Sequence, residues 1–335
     1  MISRQRFACA YGSLGGSASP GMIGAVPATW TCGPTRIALE YPTVATYGES
    51  AGTTRLSIAL VSPVVDALRQ VEAWPAQTVA VGLLRGGEEV AAHGAREHVF
   101  RWASVTKPAT ALAALVAAEE GILDLDQPAG PPGSTVRHLL AHASGLPFDG
   151  DKPIAQPGQR RIYSNTGFEV LAETVGVAAE MPFGKYLTAA VLRPLDTSAD
   201  LRGSPAAGLY GSLDDLLRLA AELQRPRLVA PETLAEATSV QFPGLVGVLP
   251  DVGRMDPNDW GLGVELRDSK EPHWTGARNS PRTFGHFGGS GTFLWVDPEA
   301  DLALACLTDL DFGPWALEAW PKLSDDVLAE NPGVA

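Results

Sequence analysis

Cysteine is scarce. The 335-residue chain has three, Cys9, Cys32 and Cys306, with no short-spaced pair, so neither a disulfide framework nor a cysteine zinc site is indicated. Basic runs are lacking too. The net charge is −13, and without clustered Lys and Arg there is nothing to grip phosphate, which excludes nucleic acid and anionic membrane as partners. No apolar run approaches the ~20 residues that span a bilayer. A phosphate loop and a Gly-x-Gly-x-x-Gly following a strand are both missing, so no nucleotide is indicated and no cofactor is expected. His138 and His142 have a zinc-like i, i+4 spacing. The intervening Leu-Leu-Ala lacks the glutamate of a zinc-protease helix and no third ligand is evident, so packing and capping are their expected roles and no metal is expected.

What is there suits a packed globular protein. Hydrophobic residues make up 45% and charged residues 19%, enough to bury the core of one large domain or two ordinary ones. Residues 1–54 are rich in Gly, Ser, Pro and Thr without periodicity, and read as a disordered extension or a stretch upstream of a misplaced start. The segment after Arg4 and Arg6 is too broken by Gly, Ser and Pro for a secretory core, so a cytoplasmic location is expected.

From Leu56 the pattern changes. Leu60, Val64, Val65, Leu68 and Val71 predict an amphipathic helix ending before Pro75, and Thr78–Leu84 with Val90–Ala92 predicts a hairpin. Thr110–Glu120 predicts an Ala- and Leu-rich helix apolar nearly all round, hence central. Short helices are expected over 134–143, 165–175, 181–192, 212–223 and 231–238, with loops at 123–132 and 153–161. Strands are expected over 260–266, 283–286, 292–296 and 302–308, and a last amphipathic helix over 315–329. Cys306, inside an apolar run, reads as a buried strand residue. The predicted layout is a sheet domain from residues 55–120 and 277–330, a mostly helical insertion over 121–276, and a tail at 331–335.

Three stretches carry candidate chemistry. Ser104-Val105-Thr106-Lys107 sets a serine and a lysine on one face of a helix's first turn, where an amine and the helix N-terminus both favour an alkoxide. Alone the pattern is weak. Tyr163-Ser164-Asn165 offers a phenol that a nearby Lys107 ammonium would ease toward phenolate, making it a proton carrier, and an amide able to orient lysine and substrate. The bland alternative is a half-buried tyrosine before a helix cap. His286-Phe287-Gly288-Gly289-Ser290-Gly291 is either a ligand-facing strand able to show backbone N–H groups to an oxyanion, or a glycine-rich turn.

The order of these stretches resembles the serine hydrolases of the class C β-lactamase type, which include penicillin-binding DD-peptidases and family VIII esterases. HLLAHASGLP at 138–147, PGQRRIYSN at 157–165, GLYGSLDDLLRLA at 208–220, WGLGVEL at 260–266 and the closing HFGGSGTFLWVDPEADLAL hairpin resemble blocks of that group, over residues 56–325. The resemblance implies an α/β (α+β) fold, an antiparallel sheet flanked by helices with an inserted helical domain, and an active site at their junction. It implies Ser104 as acyl-accepting nucleophile, Lys107 and Tyr163 as proton-handling pair, and Asn165 as orienting residue. The oxyanion hole would be the N–H groups of Ser104 and Gly289. At the third motif, His286 and Phe287 stand where the β-lactamases usually have a lysine and a hydroxyl residue, which weakens carboxylate recognition.

A serine hydrolase acting on a small-molecule ester or amide is therefore expected, with carboxylic esters favoured. β-Lactam or D-amino-acid peptide hydrolysis, acyl transfer, and a catalytically silent ligand sensor are the alternatives. Nothing in the sequence speaks to oligomeric state.

Overall fold

A computed structural model describes residues 64–332; the expected extension over 1–54, Cys9, Cys32, Leu56 and Leu60 lie outside them. In chain order the elements are α1 (Val64–Leu68), β1 (Val79–Arg85), β2 (Glu88–Gly94), β3 (Phe100–Arg101), α2 (Thr106–Glu119), α3 (Val136–Leu140), β4 (Arg161–Ile162), α4 (Asn165–Ala178), α5 (Phe183–Leu187), β5 (Asp200–Leu201) and β6 (Leu209–Gly211). Then come α6 (Leu213–Gln224), α7 (Pro231–Ala237), β7 (Gly247–Leu249), β8 (Gly253–Met255), β9 (Glu265–Leu266), β10 (Phe284–Gly288), β11 (Thr292–Asp297), β12 (Leu302–Thr308) and α8 (Pro314–Glu330).

Six strands form an antiparallel sheet in the order β2-β1-β12-β11-β10-β9, so an early hairpin is stitched to the end of the chain through the β1–β12 pair. Both faces are covered. In β12 Leu302, Leu304 and Cys306 join the cluster holding Trp320, Leu323 and Val327 of α8, while Ala303, Ala305 and Leu307 join the one holding Leu213, Leu216 and Leu217 of α6. Double burial is why this strand reads as one apolar run rather than as alternation. Burial also pushes the Cys306 thiol well above its ordinary value, leaving it inert.

On the α6 side lies α2, buried at every position from Thr106 to Ala117. Its alanines let neighbouring backbone come close. Gly263, at φ +82°, abuts Ala111 so tightly that a Cβ would overlap the Ala111 methyl. This packing explains why the strand expected over 260–266 shortens to Glu265–Leu266. The N–H groups of Leu262 and Gly263 go to Ala237 and Leu140 of the helical layer, not to a strand neighbour.

Other boundaries moved for similar local reasons. The first helix tightens to a 3-10 turn at Arg69–Ala73, and Thr188–Leu192 widens to a π turn after α5. The expected 153–161 loop ends in β4, which pairs in parallel with β7. Strand β9 pairs with β10, so the sheet reaches back before residue 277. No helix among the described residues is long and apolar enough to cross a membrane.

Replacing Gly263 with alanine combines left-handed strain with overlap on the central helix, and is expected to cost about 3 kcal/mol in chemical denaturation. An unchanged midpoint would show that the 260–264 segment can move off α2.

Candidate active site

Ser104 lies in a 3-10 turn, Ala103–Val105, running directly into α2. Ala103 before it has φ +46°, a conformation costing a non-glycine residue roughly 1–2 kcal/mol. The surroundings hold it there. Trp102 N–H donates to Leu209 O at 2.9 Å and its indole to Gly211 O at 3.2 Å. From the other side Thr292 Oγ1 donates to Trp102 O at 2.8 Å and Ser290 Oγ to Arg101 O at 2.8 Å. Gly288 must be glycine for this clamp, because a Cβ would stand 2.5 Å from Trp102 O.

One turn on, Lys107 is fully buried. Its Nζ lies 2.8 Å from Asn165 Oδ1, 3.0 Å from Ala206 O and 3.2 Å from Ser104 Oγ. Burial holds the amine well below the ordinary lysine value, against weaker opposing fields from Asp149 and Glu169. All three oxygens can accept from the ammonium; once it gives up a proton, two N–H bonds satisfy the two groups that can only accept, Asn165 Oδ1 and Ala206 O. That leaves the lone pair facing Ser104 Oγ–H. Asn165 is placed by its position as first residue of α4, where the Ser164 hydroxyl caps by accepting from Gly167 N–H at 2.8 Å. Its own amide N–H₂ points to Asp149 Oδ1 at 3.4 Å.

Tyr163 is buried with its ring 4.6 Å below Lys107 Nζ. Here the sequence expectation needs correction. An ammonium was expected to ease Tyr163 toward phenolate, but burial shifts both groups toward neutrality. It pushes the phenol well above its usual value, with Ser104 opposing and Glu265 adding to the rise. Both shifts favour the uncharged forms, amine and phenol.

His286 Nδ1 lies 2.6 Å from Phe287 O, and a carbonyl can only accept, so Nδ1 carries the proton. Nε2 is then the bare nitrogen and accepts from Tyr163 Oη–H at 3.4 Å. Burial first, then Lys107, pushes His286 down to about 3, so the ring is uncharged at neutral pH. Phe287 packs inward against Phe312 and Trp320. Ser104, Tyr163, Trp260, His286, Phe287 and Gly289 wall a cavity of about 110 Å³. Ser104 and Gly289, whose N–H groups are the expected oxyanion donors, both line this cavity. All seven residues singled out in the sequence thus converge: Ser104, Lys107, Tyr163, Asn165, His286, Gly288 and Gly289.

Other parts of the site were not read from the sequence. Glu265, buried, holds Lys270 Nζ at 3.3 Å and His273 Nε2 at 3.1 Å, and accepts from Trp274 Nε1 at 2.7 Å. Burial would raise its carboxyl, but these three partners override it and hold the group at about 2. The charged residue inside the apolar WGLGVEL run is the one signal that could have marked it. His142 lies under Tyr163, ring centres 4.5 Å apart, its Nδ1 accepting from Ser164 N–H at 3.1 Å. His138 is instead tied to Thr135 Oγ1 at 2.9 Å and stacks on Phe242, so the two histidines have separate packing partners. Among the described residues no group of three or more His, Cys, Asp or Glu is arranged to hold a metal ion.

Comparison with known proteins points one way. The Beta-lactamase family model matches residues 69–201 and 196–328. Penicillin-binding protein 4* of Bacillus subtilis (strain 168) is 30% identical over 129 residues, and the match spans 29% of each chain. The crystal structure of a β-lactamase from Mycobacterium bovis is 55% identical, with a TM-score of 0.78 over 79% of this chain and 99% of that one. EstCE1, a hydrolase with promiscuous acyltransferase activity, shares the fold at 20% identity, TM-score 0.64, covering 79% of this chain and 97% of its own.

Nitrogen-detected NMR on histidine-labelled protein is expected to show His286 as the Nδ1–H tautomer and uncharged at every pH above about 4. Titration near the ordinary histidine value of ~6.5 would refute the neutral site.

Proposed function

The chain belongs to the β-lactamase family, a family of serine hydrolases, and from that premise we propose that it hydrolyses small neutral carboxylic esters through an acyl-enzyme on Ser104. The observation that carries this reading is the uncharged His286 beside the serine, with Phe287 turned into the core. With Lys107 shifted toward the free amine and no Lys or Arg lining the cavity, little there attracts the carboxylate of a β-lactam or of a peptide's free end.

The geometry supports the following sequence. Lys107 Nζ takes the Ser104 proton as Oγ bonds to the ester carbonyl carbon, and the new oxyanion lies before the N–H groups of Ser104 and Gly289. The intermediate collapses with cleavage of the bond to the alcohol oxygen. Tyr163 Oη–H protonates that oxygen and regains a proton from the Lys107 ammonium, whose nitrogen is 4.6 Å from the ring centre. Water then attacks the acyl-enzyme, giving its proton to the same pair. The acid departs and Ser104 regains its hydrogen. Asn165 keeps the lysine lone pair aimed at Ser104 by occupying one of its N–H bonds.

A second reading, β-lactam hydrolysis, is favoured by the 55% identity to the M. bovis protein named as a β-lactamase. Nitrocefin in the same assay separates the two.

With p-nitrophenyl acetate, wild-type protein is expected to form a covalent acetyl adduct visible by mass, and Ser104→Ala to lose it with at least ~10³-fold of the rate. Equal turnover in both would remove Ser104 from the chemistry. Because the reactive form of Lys107 is the free amine, kcat/KM should rise with pH along one ascending limb centred well below 10.5. Lys107→Arg, whose charge cannot be shed, should be inactive at every pH.

A further inference from the structure

Next to the serine cavity lies a larger hollow of about 450 Å³, within the range of small-molecule sites. Phe148, Ile154, Tyr163, Val246, Val248 and Pro250 line it. Phe148, Tyr163 and Pro250 also line the serine cavity, so the two spaces meet along one wall. Three large apolar side chains stand open here, Phe148 at 49%, Ile154 at 55% and Val248 at 59% exposure. Exposed apolar surface gathered beside a reactive serine, rather than scattered singly, marks a binding groove.

The bordering arginines are engaged with protein acceptors. Arg160 donates to Ile154 O at 3.0 Å and Arg254 to Asp256 Oδ2 at 3.3 Å. Arg161 spends its guanidinium on the carbonyls of Ala141, Gln241, Phe242 and Asn258. The occupant that fits is neutral and apolar.

The shared wall also decides which part of an ester enters. The oxyanion side of the serine cavity is built from Ser104 and Gly289, and neither lines the groove. Tyr163, which hands a proton to the leaving oxygen, lines both. A substituent running past Tyr163 is therefore the alcohol half. We propose that this groove binds the extended apolar chain of the ester's alcohol, while the 110 Å³ cavity takes a small acyl group; the proposal rests on the assignment of Ser104 as nucleophile. A transfer reaction would bring its acceptor alcohol in by the same groove.

Two ester series and one binding measurement test it. Across alkyl acetates from ethyl to octyl, wild-type kcat/KM should rise up to about fourfold per added methylene. Across ethyl alkanoates of growing acyl chain it should not. Val248→Asp and Ile154→Asp should flatten the first series, and Val90→Asp, exposed on β2, should leave its slope intact. A slope in the acyl series with none in the alcohol series overturns the assignment. Independently of turnover, Ser104→Ala protein should bind 1-octanol by calorimetry, and adding Val248→Asp should weaken this at least tenfold. No octanol binding sinks the groove. Octanol binding retained alongside turnover that does not depend on Ser104 supports the groove and refutes the nucleophile.

Discussion

The site depends on an amine buried without a carboxylate. Lys107 forms no salt bridge among the described residues, and taking an unpaired ammonium out of water is costly enough to hold the group well below the ordinary lysine value. Much else follows from that desolvation. A neutral amine has two hydrogens and one lone pair, and Asn165, Ala206 and Ser104 are arranged to match them. The same dry environment keeps Tyr163 protonated and His286 uncharged. The Ala-rich α2 makes the burial possible, because small side chains on all faces let 205–209, β10 and α4 close around one helix end.

Charge has been moved away from the serine, not abolished. Glu265, Lys270 and His273 form a buried polar cluster under the Trp260–Leu266 segment, close enough for Glu265 to raise the Tyr163 phenol. Arg161 is likewise buried on four carbonyls, tying together the segments at 141, 241–242 and 258. Each charge is satisfied locally, as interiors of low dielectric require. The space next to Ser104 is left without a cation in its wall, the exposed Asp251 being its one charged lining residue.

Much of this was legible in the sequence, and the limits have physical causes. Strands β11 and β12 and helix α6 were readable because their signals are local: an apolar run between turn residues, and a Ser212–Asp215 capping box. The three motifs were readable because their residue types have few other uses together. The β4–β7 pair was not, since nothing in Arg161-Ile162 points to partners some 85 residues away. The strand expected over 260–266 held only at Glu265–Leu266, because Gly261 and Gly263 serve close packing on the helical layer, which no period reveals. The downward shift of Lys107 and the upward shift of Tyr163 were out of reach for the same reason: they come from burial, which side-chain type does not reveal.

The pairing of β1 with β12 has a consequence for how the molecule comes into being. Val79–Arg85 waits for Leu302–Thr308, more than two hundred residues later, before the middle of the sheet exists. Contacts so distant along the chain slow folding. During synthesis, which proceeds at about 5–20 residues per second, the serine turn is made well before its clamp from Ser290 and Thr292, whose bonds span 189 and 190 residues. The nucleophile is therefore completed late, so an unfinished chain carries the serine without the frame that arms it.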